Sequence, residues 1–445
     1  MTFPARNQLN YFFMLFFPLL LTQMAQVGTN VFSSVFSGRA GTVDLAGVAV
    51  AVNIWYPVFA GVCGIFFGIS PILSQLRGAN KTDDIPSYIM QSIYLSLFFT
   101  IFIILFGIIF TDPFLRLMSL DPAVHYIAKE YLFALSLGIL PTFIQATLRY
   151  VVDAHGMTHL SMAVLLTNMV LTIFLFYGLI FGAAGLPALG GAGAGYAITI
   201  AAWLTLFLFI LIFRFKEPFR SYRLWRVFRP FDWFLCREQL RLGIPIFIAV
   251  FCETSLFSIV GLLMSEFGTV FLAANQAAIS YSEFIYTIPW SISLTATIVI
   301  GYEVGAKNPA GARQYAVICQ GVSLFIACLT VMLTYIGLDT ISGAFTSDYE
   351  TFTHIRTFII YAMLFAFFDA LGTPVQGILR GYKDVKVITF VSFITYWLIS
   401  IPLGIALAHA TDWGAYGYWL SLIIGLAINA FSLNARLWHH TAWRA

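Results

Sequence analysis

Three carboxylates lie inside segments long enough to cross a bilayer: Glu253 in the run 244–257 of the segment 240–263, Asp369 in the run 365–374 of the segment 354–378, and Glu283 in the segment 272–299. An ionised carboxylate at membrane depth costs about 2.5–3.5 kcal/mol on insertion scales, so such residues face a cavity or a partner and mark ion or substrate paths. If Glu253 and Asp369 meet in one cavity, a proton or a hard monovalent cation such as Na+ shared between them relieves their mutual repulsion, and its binding becomes a switch. The plainer alternative is that each acid is a protonated or hydrogen-bonded packing residue. Gly372 and Pro374 lie within about a turn of Asp369, where they loosen the helix and free backbone carbonyls as ligands. Tyr286, three residues after Glu283, offers a ring face to an organic cation or a hydroxyl to the acids. Its span is polar along one stripe, which makes Asn275, Gln276, Tyr281 and Glu283 candidate substrate contacts.

Composition says what must position these residues. The 445 residues are 60% hydrophobic and 10% charged, with mean hydropathy +0.88, whereas a soluble domain carries about 25% charged residues. Apolar stretches of twenty residues or more are too long for barrel strands, so an all-α polytopic membrane protein is expected. Twelve transmembrane helices are drawn near 12–36, 46–70, 87–110, 127–148, 160–182, 192–213, 240–263, 272–299, 312–336, 354–378, 387–408 and 414–434. With that count, nineteen of the 23 Lys and Arg fall on one side, from Arg6 to Arg444 and including eight in 214–241. Only Arg39, Arg116, Lys129 and Arg356 fall on the other, which predicts an inner (cytoplasmic) membrane protein with both termini cytoplasmic. The first apolar run has no small-residue cleavage site after it and reads as a retained helix rather than a signal peptide.

The chain also repeats itself. Pro18 and Pro245 are 227 residues apart, as are Gln26 and Glu253, and Thr42–Ala46 matches Thr269–Ala273 at four of five positions in the same register. Further on, Gln145, Arg149 and Asp153 match Gln376, Arg380 and Asp384 at an offset of 231. Six spans per repeat give parallel repeats, that is, two six-helix bundles related by pseudo-two-fold symmetry. The expected division is an N-terminal lobe over 1–213, a cytoplasmic basic linker over 214–239 and a C-terminal lobe over 240–445. The chemistry does not share the symmetry, because the deep acids belong to the second half alone.

Other polar residues have structural readings. Asn168 and Thr172 share a face, Gln23 and Gln26 stud the first span, and interhelical hydrogen bonding accounts for them. Asp44 reads as a cap, and Arg149 and Arg380 as inner helix-end charges that neutralise the dipole or serve a gate. Cys63, Cys236, Cys252, Cys319 and Cys328 form no CxxC pair and read as free thiols, mostly buried. No HExxH and no GxxxxGK[ST] loop occurs, and no basic block interleaved with aromatics suggests nucleic acid. An enzyme is not expected, nor a cofactor; with no nucleotide site, transport would run on an ion gradient.

Three stretches then carry a resemblance: 71–79 (PILSQLRGA), 301–308 (GYEVGAKN) and 376–381 (QGILRG), in the order and spacing of the multidrug and toxic compound extrusion (MATE) transporters, NorM-like branch. The resemblance spans essentially the whole chain. It implies cation-coupled export of organic, often cationic and amphipathic drugs or dyes by a rocking-bundle antiporter in the lipid bilayer, for which a monomer suffices. It places the cation site on Glu253 and Asp369 with Tyr286 as the aromatic contact, a cavity residue at Gln276, and an acid near the drug-binding region at Asp348. Many relatives carry an Asp in the first span where this chain has Ser33, so coupling falls to the second-half pair, with Na+ favoured and H+ the alternative. A lipid-linked oligosaccharide flippase of the same superfamily would need a deep basic cavity, and the spans show no mid-span Lys or Arg. A membrane receptor or scaffold would leave the acids and the repeat without a purpose.

Overall fold

The computed structural model describes residues 8–118, 120–346 and 348–439; the chain termini, with Arg6 and Arg444, lie outside the described residues. The regular structure among them is all helical, with no strand. The first half contains α1 (Gln8–Ala40), α2 (Thr42–Phe67), α3 (Ile69–Gly78), α4 (Ile85–Leu117), α5 (Pro122–Ser136), α6 (Ile139–Ala154), α7 (Thr158–Phe181) and α8 (Gly191–Phe215). The second contains α9 (Trp233–Met264), α10 (Thr269–Gly305), α11 (Pro309–Ile336), α12 (Leu338–Phe345), α13 (Tyr349–Gly381), α14 (Val385–Ser392), α15 (Ile401–Ala410) and α16 (Tyr416–His439).

Eleven of these spans are long and apolar enough to cross a membrane, and the bent pair α5–α6 makes a twelfth. The sequence draws one span there, over 127–148, and the chain turns by 51° within it at Leu137–Gly138. The Thr199 hydroxyl donates to the Ala134 carbonyl at 2.6 Å and that of Thr142 to the Gly138 carbonyl at 2.6 Å, so side chains fill the acceptors beside the break.

Two compact units result. One comprises Leu21–Leu76 and Lys81–Ile244; the other comprises the described part of Met1–Leu20, Arg77–Asn80 and Pro245–Ala445. Their borders fall inside α1, near Pro18, and inside α9, beside Pro245.

In the first unit α8 packs on α5, α6 and α7, and α2 on α5, around a core that includes Tyr131, Leu179 and Phe176. Asp44 caps α8 by accepting from the Gly191 N–H at 2.6 Å, and Asn168 accepts from the Thr205 hydroxyl at 2.8 Å, an interhelical bond. The basic 214–239 stretch is fastened along its length to this unit. Tyr222 bonds the His155 ring at 2.6 Å, Tyr94 donates to the Arg229 carbonyl at 2.8 Å, and Gln91 donates to the Pro230 carbonyl at 2.9 Å. Phe219 is buried against Phe213 and His155.

In the second unit α10 and α13 are the most deeply buried spans, lying along each other, with α16 against α13. Their approach depends on Gly377, where a Cβ would overlap the Ser293 carbonyl. Between α14 and α15 the same apolar span widens into a π-helical turn, Phe393–Ser400. Side chains hold it open: Ser400 donates to the Thr395 carbonyl at 2.9 Å, and the Asn429 amide donates to Ser392 and Thr395 at 3.2 Å each.

The contact at Gly377 gives a direct test. Gly377→Ala overpacks the α10–α13 seam and should cost about 1–3 kcal/mol, seen as a lower thermal unfolding midpoint in detergent. Gly321→Ala, where nothing lies within 4 Å, should leave the midpoint unchanged or raise it. Equal midpoints for Gly377→Ala and the parent protein would contradict the close approach.

Candidate functional site

Two stripes of one spacing build the site. On α13 the residues are Asp369, Thr373, Gln376 and Arg380; on α10 they are Tyr286, Trp290, Ser293 and Thr297. Steps of four, three and four residues keep each set on one helical face, and the contacts between them join the two faces. Thr297 donates to the Gly377 carbonyl at 3.1 Å, and Arg380 donates to Ser293 Oγ at 3.2 Å.

At one end of this seam lie the acids. Asp369 is 3% exposed and accepts from the Thr373 hydroxyl at 2.6 Å. Glu253 comes in from α9, half-buried, and accepts a hydrogen bond from Tyr286. The two carboxylates lie within electrostatic reach of each other and of Tyr286. The structure thus brings Glu253, Asp369 and Tyr286 together. All their donor atoms are oxygens, the set that suits a proton or a hard monovalent cation and not a soft metal.

Two neighbours were not among the sequence candidates. Tyr396, projecting from the π-helical turn and buried, faces both carboxylates. Its signal in the sequence was slight: a tyrosine inside an apolar span flanked by Ser392, Thr395 and Ser400. Arg380, which the sequence offers as an inner helix-end or gating charge, lies in the last turn of α13 and is 1% exposed. Its guanidinium donates to Gln376 Oε1 at 2.9 Å, lies 5.2 Å from the Trp290 ring centre, and acts electrostatically on Glu253. The long side chain carries the charge inward from the last turn of α13. Gln376 four residues earlier is the local mark that could have revealed it.

The candidate substrate residues separate by helical phase. Gln276 and Glu283, seven residues apart with Ser280 between them, occupy an exposed stripe of α10. Polar side chains on a membrane span are rarely presented to hydrocarbon, which makes this stripe the side of α10 expected to meet water or protein. Asn275 and Tyr281 turn into the unit instead: Asn275 accepts from the Trp419 indole at 2.9 Å, and the Tyr281 hydroxyl pairs with Thr334 at 2.6 Å. Asp348 is exposed at the start of α13, where it caps the helix by accepting from the Thr351 N–H at 2.9 Å and its hydroxyl at 2.7 Å. Those two bonds hold its carboxyl below the usual carboxylate range. It does not join the Glu253–Asp369 cluster.

The inward-facing pair predicts a stability effect. Asn275→Ala strands the N–H of Trp419, whose side chain is 0% exposed, and should cost about 1–3 kcal/mol, measured as the shift in thermal unfolding midpoint. Gln276→Ala, on the exposed stripe, should shift it much less; equal shifts would contradict this division of the stripe.

The wider comparisons agree with this architecture. The MatE family model matches residues 18–177 and again 245–406, so its two matches begin 227 residues apart, the register of the internal repeat. The "Probable multidrug resistance protein NorM" of Bacillus cereus (strain ATCC 10987 / NRS 248) is 42% identical over 434 residues, covering 97% of this chain and 95% of that protein. The protein of the same name from Bacillus subtilis (strain 168) is 38% identical over 437 residues, covering 97% and 96%. Among solved structures, the eukaryotic MATE transporter AtDTX14 superposes with a TM-score of 0.89 at 20% identity, over 98% of this chain and 96% of that one. A MOP superfamily transporter from Pyrococcus furiosus, described as having a binding pocket of reverse polarity that suggests a different function, superposes at 0.87 with 16% identity, over 98% and 97%. At those identities the likeness speaks for the fold. The twice-matched family model and the full-length NorM relatives go further: this chain belongs to the MatE family, the multidrug and toxic compound extrusion transporters.

Proposed function

We propose that the protein is a multidrug efflux antiporter of the inner membrane that exports organic, often cationic and amphipathic compounds against an inward cation gradient, Na+ in the first instance. The observation that carries the reading is the gathering of Glu253, Asp369 and Tyr286 at the head of the α10–α13 seam. It is supported by full-length similarity to proteins named for multidrug resistance.

The chemistry follows from charge. The cation binds the carboxylate pair and lowers its repulsion, while the Tyr286 hydroxyl and ring complete an oxygen-and-aromatic lining. The exposed Gln276–Glu283 stripe offers a drug a polar, negatively charged path. Coupling requires that cation and drug differ in affinity for the two conformations, so that binding one weakens the other. Both termini lie on the cytoplasmic side in this reading, and a monomer is sufficient. H+ in place of Na+ is the second form of the same mechanism, since a carboxylate pair can hold either.

Ethidium efflux from proteoliposomes, driven in turn by an imposed Na+ gradient and an imposed H+ gradient, tests this. Na+-driven efflux is expected, and efflux under neither gradient would overturn the reading. Asp369→Asn should abolish gradient-driven efflux while still inserting into the membrane; normal efflux by that variant would sink the role given to the acid. Tyr286→Phe keeps the ring and loses the hydroxyl, and should raise the Na+ concentration for half-maximal efflux roughly tenfold, about 1.4 kcal/mol.

A further inference from the structure

The stretch between α8 and α9 leaves a set of cations without partners. Phe219, Tyr222 and Leu224 are buried and anchor it to the first unit. Between and beside these anchors Arg220, Arg223 and Arg226 are exposed, and none of the three guanidiniums has a hydrogen bond, an ion pair or a ring contact among the described residues. Two nearby acids are turned to backbone instead: Glu217 accepts from the Ser221 N–H at 3.2 Å and Asp232 from the Phe234 N–H at 2.8 Å. Arg223 takes the left-handed conformation, φ 47°, which glycine would hold at less cost, so the side chain is kept there at the expense of the backbone. The first turns of α9 divide by helical phase. Cys236, Gln239 and Leu242 are buried, while Trp233, Arg237 and Arg241, at steps of four, share an exposed face. Aromatic rings stand among these charges, with Phe228 84% exposed and Trp225 50%.

We propose that this surface is a docking site for the headgroups of anionic phospholipid, in the leaflet where α8 and α9 leave the bilayer. That leaflet is the cytoplasmic one in the orientation given above; the inference is otherwise independent of the cation and drug readings. Both flanking helices are long and apolar enough to cross a membrane, so the stretch joining them lies at one bilayer surface. Residues 214–241 carry eight Lys and Arg against Glu217, Asp232 and Glu238. A basic segment next to a span is drawn to an anionic leaflet, and exposed aromatic rings are favoured at headgroup level. Each free guanidinium can take a phosphate through two parallel N–H···O bonds, which supplies the anion the protein does not. Arginine alternates with aromatic residues here as it would at a nucleic acid, but the two spans hold it against lipid. The buried Phe219, Tyr222 and Leu224 fix the turn before lipid arrives, which lowers the ordering cost of binding.

The test titrates purified full-length protein in detergent with dioleoyl phosphatidylglycerol and, separately, dioleoyl phosphatidylcholine, and counts bound lipid by native mass spectrometry. The parent protein should hold its first phosphatidylglycerol roughly tenfold more tightly than phosphatidylcholine, a preference that rising ionic strength erodes. The triple variant Arg220→Gln, Arg223→Gln, Arg226→Gln should lose most of that preference while its thermal unfolding midpoint stays put. A second triple variant, Lys81→Gln, Lys307→Gln, Lys386→Gln, removes the same charge from exposed residues elsewhere on the basic side and should keep the preference. Equal losses in the two variants would reduce the effect to net charge and overturn the site, as would a parent protein that binds both lipids alike. If the arginine triple variant does not fold, Arg226→Glu alone, which reverses one exposed charge, should still cut the preference severalfold, and no change there would overturn the proposal. Tighter binding of a poly(U) oligonucleotide than of phosphatidylglycerol would assign the surface to nucleic acid instead. Ethidium efflux under either gradient does not enter this readout, so failure of the antiport reading and failure of the lipid site are told apart.

Discussion

A carboxylate within a membrane span must find its compensation inside the protein, because no bulk water is present to supply it. The second unit is organised around that requirement at Asp369. Its acid needs a hydroxyl, and Thr373 supplies one from the next turn. Its helix needs a partner that can come close without presenting unsatisfied polar groups. α10 meets both demands with small hydroxylated residues whose side chains bond back along their own helix: Ser291 to the Thr287 carbonyl at 2.6 Å, Thr295 to Ser291 at 2.8 Å and Thr297 to Ser293 at 3.0 Å. A span this rich in Ser and Thr would be poorly suited to lipid, and it is the most buried of the candidate spans. The tight seam, the buried hydroxyls and Gly377 are thus one solution to one electrostatic problem.

The repeat shows how that solution was specialised. Both halves keep a Gln–Arg pair four residues apart, with an Asp four residues further on. In the first half the set closes on itself: Arg149 reaches Asp153 and donates to Gln23 at 2.9 Å, and charge is balanced locally. In the second half the Asp is taken by Arg436 and the Arg bonds Gln376 and Ser293 beside the Trp290 ring. The scaffold stays similar while the charge is redirected, so one half holds a quiet ion pair and the other an electrostatically poised cluster.

Much of this was legible in the sequence. Charges inside apolar runs cannot hide, which is why Glu253, Asp369 and Glu283 stood out, and a proline, glutamine and arginine pattern at a steady offset exposed the repeat. Properties that depend on packing were not legible. Asn275 and Gln276 are neighbours in a polar stripe, yet a step of one residue turns a helix by about 100°, and only the position of Trp419 decides which of them faces inward. Arg380 read as a helix-end charge, and its burial was not legible because sequence gives the position of a Cα and not the reach of its side chain. The π-helical turn that presents Tyr396 depends on bonds from Asn429, more than thirty residues away.

The fastened 214–239 stretch bears on how this protein can be handled. A basic segment of that length between two repeats would ordinarily be chosen for a fluorescent reporter, an affinity tag or a protease site. Here its backbone carbonyls and aromatic side chains are claimed in register by Gln91, Tyr94 and His155. Adding or removing a residue would slip every one of those attachments together. The stretch therefore behaves as a folded edge of the first unit, and its length is as constrained as that of a strand in a sheet.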